Sequence, residues 1–165
     1  MYDNTVQVSM SSCRLSEDGK TVIVLPGTKK CRDMEYRENT KIERVVCTED
    51  MEEIGFASFN GCTSLTSIVL KSGLRRIGDW TFWECTQLTH VSFVDGMEEI
   101  GEWSFSNCTS LTSIELKPDL KRIGELTFWR CTQLTHVSFV NGMEEIGDES
   151  FKDCTSLTSI ELKLG

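Results

Sequence analysis

Residues 77–93 read IGDWTFWECTQLTHVSF, and residues 100–116 read IGEWSFSNCTSLTSIEL. The two stretches keep the same Ile-Gly pair, Trp, Phe, Cys and Leu at a spacing of 23 residues. A fixed period of this length indicates a stack of equal coils. The Ile-Gly pair begins at Ile54, Ile77, Ile100, Ile123 and Ile146. The chain therefore contains five full repeats in register.

Further apolar positions recur within each repeat, and we expect their side chains to point inward. The first is phenylalanine, at Phe59, Phe82, Phe105, Phe128 and Phe151. The second is cysteine, at Cys62, Cys85, Cys108, Cys131 and Cys154. A leucine follows each cysteine and begins the pattern LxxIxL or LxxVxF, which is typical of leucine-rich repeats.

The repeat predicts an α/β solenoid with one parallel strand and a short helical turn in each 23-residue coil. One unit cannot bury its apolar positions alone, so neighbouring coils stack on one another. Residues 67–70 and their equivalents alternate inward and outward side chains, which indicates a strand. Residues 78–85 place apolar side chains inward at intervals of five and three, and an acid follows the glycine. This spacing favours a helical turn.

The chain divides into two regions. Residues 1–38 do not repeat, and two apolar runs flank an Asp18-Gly19 turn. We interpret this region as a β-hairpin cap over the exposed end of the first coil. Residues 39–165 form the solenoid. It begins with a degenerate repeat, in which Ile42, Val45 and Met51 keep the register, and continues with the five full repeats.

The units GxxxFxxCxxLxxI resemble the BspA-like subclass of leucine-rich repeats, which occurs in surface proteins of bacteria and parasitic protists. The resemblance rests on IGDWTFWECTQLTHVSF and IGEWSFSNCTSLTSIEL and covers about three quarters of the chain. It implies a role in adhesion or host interaction, and display at the cell surface.

Composition excludes several classes of function. The net charge of −9 repels nucleic-acid phosphates and anionic membranes, so we expect no nucleic-acid partner. The sequence lacks a run of about 18 apolar residues, so we expect no membrane insertion. The N-terminus lacks a signal-peptide pattern. By default this favours the cytoplasm, whereas the resemblance implies the cell surface.

Charge follows a longer period of 46 residues. The residues before Ile-Gly read Met-Glu-Glu at 51, 97 and 143, but Leu-Arg-Arg at 74 and Leu-Lys-Arg at 120. Stacked coils should therefore alternate acids and bases about 5 Å apart. We interpret the rows as a charge ladder that sets the register, and an ionic partner site is the alternative.

The sequence predicts neither a metal site nor a cofactor. His90 and His136 lie two coils apart, which separates their backbones by about 10 Å, so we do not expect them to share an ion. The five repeated cysteines are interpreted as buried, inert thiols rather than a metal or redox ladder. A disulfide among Cys13, Cys31 and Cys47 stays open.

Without a convergent set of catalytic groups, we expect a protein-binding module rather than an enzyme. One predicted binding surface is the outward side of the strands, with His90, Glu115, His136 and Glu161. The other lies at the variable positions of the turn, where Trp80, Trp83, Trp103 and Trp129 fall. Both surfaces stay open as alternatives.

A second hypothesis is self-association through the last coil. The sequence stops after the fifth strand without an atypical capping repeat, and we expect Ile160 and Leu162 to be uncovered there. Glu144 and Glu145 lack basic neighbours on one side. Either a longer array continues the chain or two copies pair as a homodimer, and we expect the homodimer.

Overall fold

The computed structural model describes residues 12–163 and, within them, a solenoid built on two sheets. In chain order, the strands are β1 Cys13–Leu15, β2 Thr21–Val24, β3 Lys30–Cys31, β4 Arg44–Val46, β5 Glu53–Ile54, β6 Ser67–Val69, β7 Arg76–Ile77, β8 His90–Ser92, β9 Glu99–Ile100, β10 Ser113–Glu115, β11 Arg122–Ile123, β12 His136–Val140, β13 Glu145–Ile146 and β14 Ser159–Lys163. The long sheet has the order β1-β2-β4-β6-β8-β10-β12-β14, and the short sheet has the order β13-β11-β9-β7-β5-β3.

Each coil advances the chain by 23 residues and adds one strand to each sheet. In the long sheet, Ile114 lies opposite Val91 on one side and Val137 on the other, in parallel register. In the short sheet, Ile123 lies between Ile100 and Ile146 in the same way. The predicted parallel strand of each coil is therefore confirmed, and the Ile-Gly pair marks a second strand that the sequence did not indicate.

The predicted helical turn is wrong, because residues 12–163 contain no helix. The third side of each coil is a run of turns whose backbone N–H groups bond to the next coil. The amides of Ala57, Phe59 and Gly61 donate to the carbonyls of Asp79, Thr81 and Trp83 at 2.7–2.9 Å. A helical amide would instead bond four residues back within its own segment. The fold is thus a β-solenoid, and no helix in its described part could span a membrane.

The core is a set of side-chain columns that run along the solenoid. Successive phenylalanine rings stack with centroids 5.2–5.5 Å apart, and Tyr36 begins the column. The predicted burial of Phe82, Phe105 and Phe128 is confirmed, since each has 0% exposure. Each inward side chain therefore packs against the side chain at the same repeat position in the adjacent coil.

The N-terminal hairpin is continuous with the solenoid. β1 pairs antiparallel with β2 across the Asp18-Gly19 turn. β2 also pairs in parallel with β4, and Thr21 lies opposite Arg44 at the 23-residue spacing. β3 pairs with β5 in the same register. The second strand of the hairpin is therefore also a strand of the repeating sheet. The cap was predicted over residues 1–38, and residues 1–11 lie outside the described part.

Candidate functional site

The strand surface is the outward side of the long sheet. On it, Ser113 lies between His90 and His136 in register, as the spacing predicts. One ring nitrogen of each histidine is 2.8 Å from a serine hydroxyl: His90 Nε2 from Ser92 Oγ, and His136 Nδ1 from Ser159 Oγ. The two histidines are thus engaged with separate serines.

Acidic and hydroxyl side chains cover the rest of the strand surface. Glu115 is exposed and lies 3.6 Å from Lys117 Nζ, and exposed Glu161 lies 4.0 Å from His136 Nε2. The threonine hydroxyls of Thr112, Thr135 and Thr158 each donate to the carbonyl of the threonine one coil earlier, at 3.1–3.3 Å. These hydroxyls join adjacent coils, and Glu115 and Glu161 are exposed charged groups among the described side chains of strands β10 and β14.

The tryptophan surface consists of Trp80, Trp83, Trp103 and Trp129 on the third side of three adjacent coils. Trp80 and Trp103 stack with ring centroids 4.9 Å apart and planes 10° from parallel. Trp83 tilts against Trp80 at 5.8 Å, and Trp129 meets Trp103 edge-on at 5.7 Å. All four indoles are half-buried, so they form one continuous aromatic surface that keeps contact with solvent.

Two polar groups belong to the tryptophan surface. The guanidinium carbon of Arg130 lies 4.2 Å from the ring centroid of Trp129, which is a cation–π geometry. The indole Nε1 of Trp83 is buried and has no hydrogen-bond partner in the described part of the chain. A buried donor without a partner is uncommon and costs free energy. The tryptophan surface therefore contains apolar rings and one cation, together with a buried indole N–H group that has no hydrogen-bond partner in the described part of the chain.

Trp80 and Trp103 occupy a backbone position with positive φ, at 59° and 58°. Bulky side chains rarely adopt this left-handed conformation. It recurs at Ala57, Leu126 and Glu149, with φ of 49–56°. The conformation aims the amide at the next coil, as in the 2.8 Å bond from Trp80 N to the carbonyl of Glu102. The turn imposes the strain in every full repeat, whichever side chain is present.

The charged surface is the outward side of the short sheet, and it carries the predicted alternation of acids and bases. One row contains Lys29, Glu52, Arg75, Glu98, Lys121 and Glu144, and the next contains Lys30, Glu53, Arg76, Glu99, Arg122 and Glu145. Arg76 lies within 3.2–3.4 Å of Glu53 and Glu99. An open groove of about 410 Å³ crosses this surface from Arg76 to Asp148.

Glu99 and Glu53 are the least exposed of the paired acids on the charged surface, each with 27% of its side chain exposed, and Glu99 lies between two bases. Partial burial disfavours its charged form, but the hydrogen bond from Arg122 and the charges of Arg76 and Arg122 outweigh it, so its pKa is lowered. Among the acids that line the groove, Glu99 is thus paired with bases of both adjacent coils. This arrangement supports the interpretation of the row as a register-setting ladder.

The repeated cysteines are buried free thiols in the interior of the coils. Each Sγ donates to a carbonyl 26 residues earlier, as from Cys108 to Phe82 at 3.3 Å. Burial raises the pKa of Cys62 to about 12 and that of Cys154 to about 11. The thiols therefore stay protonated and bonded to backbone. Elsewhere, Cys13, Cys31 and Glu35 bring three potential metal ligands together, and nothing in the spacing of the sequence pointed to Glu35.

The last coil is less covered than the others. Ile146 is 47% exposed and Ile160 is 55% exposed, whereas Ile123 and Val137, at the equivalent positions of the preceding coil, are buried. Glu144 and Glu145 are exposed, and the side chain of Leu162 lies outside the described residues. Both exposed isoleucines lie on the last coil that the structure describes.

The fold and its repeats have clear relatives. A leucine-rich repeat protein from T. pallidum superposes with a TM-score of 0.78 at 24% identity, over 92% of this chain and 79% of that protein. One from Bacteroides ovatus gives 0.76 at 25% identity, over 88% and 43%, and one from Eubacterium ventriosum gives 0.79 at 21%, over 92% and 41%. The chain thus spans less than half of the latter two proteins.

A search of curated proteins finds no match. The family model for the BspA type leucine rich repeat region matches six copies over residues 29–163. The match includes the column of phenylalanines, the repeated cysteines and the strands β3 to β14. The chain belongs to the BspA-type leucine-rich repeat family.

Proposed function

We propose that the chain is a non-catalytic protein-binding module whose partner contacts the tryptophan surface. The observation that carries this proposal is the continuous aromatic surface formed by the four half-buried indoles on three adjacent coils. Tryptophan and arginine dominate the binding energy of protein interfaces, and Arg130 lies over Trp129 at the edge of this surface.

The tryptophans are not needed for the backbone or the core. Ala57, Leu126 and Glu149 fill the position of Trp80 and Trp103 in other coils with the same positive φ. The phenylalanine column beneath is already complete, with rings that have 0% exposure in the inner coils. The presence of two adjacent indoles at a strained backbone position therefore favours a role for these side chains in binding at the surface rather than in folding.

The surroundings of the rings indicate the chemistry of the partner. Glu102 and Glu125 are exposed on the same turns as the tryptophans, and the chain has a net charge of −9. A partner with an apolar or aromatic centre and a basic rim would match this surface. The strand surface, with Glu115 and Glu161, is the alternative location.

An array of purified proteins and glycans, probed with the labelled chain, tests the proposal. Trp80→Leu and Trp103→Leu copy the residue that stands at Leu126, so they should preserve the fold. We expect them to weaken binding to each array hit by roughly tenfold or more, as for loss of an interface hot spot. The matched control is Glu115→Gln with Glu161→Gln, which should leave affinity unchanged. The reverse result would place the partner on the strand surface.

A second candidate function is association of two copies through the last coil. The exposed Ile146 and Ile160 form an apolar edge that another copy would cover. Light scattering over a range of concentrations tests it. The mass should double with concentration, and Ile160→Lys should abolish the increase. A mass that stays at 18.7 kDa at every concentration would exclude it.

A further inference from the structure

Two cysteines and one glutamate meet where the hairpin joins the first coil. Cys13 on β1 and Cys31 on β3 have Sγ atoms 3.8 Å apart, and Cys31 Sγ lies 3.6 Å from Glu35 Oε2. All three ligand atoms lie within 4.8 Å of one another. Both cysteines are buried and Glu35 is half-buried. The hairpin, the short sheet and the third side of the coil thus each supply one group.

The distances fit a tetrahedral zinc site. Zinc binds thiolate sulfur at about 2.3 Å and carboxylate oxygen at about 2.0–2.2 Å. Tetrahedral angles then separate two sulfurs by about 3.8 Å and a sulfur from an oxygen by about 3.5 Å. The separations between Cys31 Sγ and its two neighbours match these values without movement of the backbone.

The carboxylate is held in place by its surroundings. Glu35 Oε2 accepts hydrogen bonds from the backbone N–H of Arg32 at 3.2 Å and from the hydroxyl of Ser12 at 3.4 Å. Metal ligands in proteins are commonly oriented by such outer hydrogen bonds. The same carboxylate oxygen faces Cys31, so the arrangement that holds Glu35 also directs it at the thiol pair.

The two thiols differ in acidity because they interact. The hydrogen bond with Cys31 lowers the pKa of Cys13, although burial opposes this effect. The same hydrogen bond and burial raise the pKa of Cys31. A divalent cation bound to both sulfurs would stabilise both as thiolates.

From this convergence, we propose that Cys13, Cys31 and Glu35 bind one zinc-type cation through two thiolates and a carboxylate. Thiolate ligands select Zn²⁺ over Mg²⁺ and Ca²⁺. Binding releases the thiol protons to solvent and leaves the fourth coordination position for water or another ligand. The ion ties β1 to β3 and so fixes the hairpin against the first coil. The repeated cysteines do not take part, because each donates to a backbone carbonyl.

Titration of the reduced full chain with Co²⁺ under anaerobic conditions tests the site. Bound cobalt should give a thiolate charge-transfer band and the visible bands of tetrahedral coordination, saturating at one ion per chain. Added Zn²⁺ should displace cobalt and raise the melting temperature. Glu35→Gln should weaken binding roughly 10–100-fold, and the double variant Cys13→Ser with Cys31→Ser should remove the charge-transfer band.

Cys62→Ser is the matched control, since its hydroxyl can still donate to the carbonyl of Tyr36, and it should bind cobalt like the unaltered chain. A band that persists in the double variant Cys13→Ser with Cys31→Ser would overturn the proposal, as would unchanged affinity in Glu35→Gln. Formation of a Cys13–Cys31 disulfide in a glutathione redox buffer despite saturating zinc would also overturn it and identify a redox pair instead. These readouts do not depend on any protein partner.

Discussion

Arg122 Nη2 lies 2.7 Å from Glu99 Oε2, and the two residues occupy equivalent positions of adjacent coils. Glu99 also lies 3.4 Å from Arg76 Nε, so one carboxylate bridges the bases of the coils on both sides. Because the pKa of Glu99 is lowered in the folded state, the ionised form stabilises the fold above the ordinary pKa of glutamate. That contribution is lost as the pH falls through the folded pKa.

Glu99→Gln should therefore lower the free energy of unfolding by about 0.5–1 kcal/mol at neutral pH. The difference from the unaltered chain should shrink as the pH falls below about 4. Urea denaturation at a series of pH values measures it. Glu102→Gln is the control, because Glu102 has no ion pair among the described residues and should show no such dependence. Equal losses for both variants at all pH values would contradict the ladder interpretation.

Gly101 permits the close stacking of coils on the third side. A Cβ at Gly101 would lie 2.3 Å from Asp79 Oδ1 and 2.6 Å from the backbone nitrogen of Asp79. Gly101→Ala should therefore push two coils apart and cost about 1–3 kcal/mol. Gly19→Ala meets no atom within 4 Å and should cost only its backbone strain of about 1 kcal/mol. Thermal denaturation compares the two, and an equal loss would contradict the steric explanation.

Thr127 and Ser106 are two buried hydroxyls with opposite expected effects. Thr127 Oγ1 donates to the carbonyls of Gly101 at 3.0 Å and Gly124 at 2.7 Å, which joins adjacent coils. Thr127→Val should cost about 0.5–1.5 kcal/mol, because the hydrogen bond that joins the coils is lost while Ser104 and Ser150 still donate to these two carbonyls. The hydroxyl of Ser106 has no partner among the described residues, so Ser106→Ala should be neutral or stabilising. Chemical denaturation of both variants checks the contrast.

Phe105 packs between Phe82 and Phe128 at 5.2 and 5.5 Å, and Phe93 meets it edge-on. Phe105→Ala should lower the free energy of unfolding by about 3–5 kcal/mol. Phe151 ends the described column and is half-buried, so Phe151→Ala should cost clearly less. Unfolding in guanidinium measures both, and an unchanged midpoint for Phe105→Ala would show that the column does not hold the coils together.

The repeat predicts most of the fold because each inward position contacts its own copy 23 residues away. A period in the sequence thus becomes a column in the core, as for Phe82, Phe105 and Phe128. The same reasoning predicts the alternation of charge and the grouping of the tryptophans. These features depend only on which residues of adjacent coils lie side by side, and the 23-residue period of the sequence gives that directly.

The third side could not be predicted, because apolar side chains at intervals of five and three are also typical of a helical turn. Its conformation depends on positive φ at Trp80, Leu126 and their equivalents, which do not favour it, and on a second positive φ that only some coils mark with a favourable residue, as at Gly61, Asn107 and Asp153. Nor could the meeting of Cys13, Cys31 and Glu35 be predicted. Their spacing follows no repeat, and it depends on the register of β1 against β2, which also serves as a strand of the long sheet.

The alternation of charge limits how such an array can change its length. Deletion of residues 77–99 removes one coil and places Arg75 and Arg76 against Lys121 and Arg122, so two basic rungs meet. Deletion of residues 77–122 removes two coils and restores an acid beside every base. The charge pairing between coils should therefore be preserved when recombination adds or removes two coils, but not when it adds or removes one. The pair of coils, rather than the single coil, is then the unit by which such an array can lengthen or shorten. The melting temperatures of the two deletions would reveal the difference.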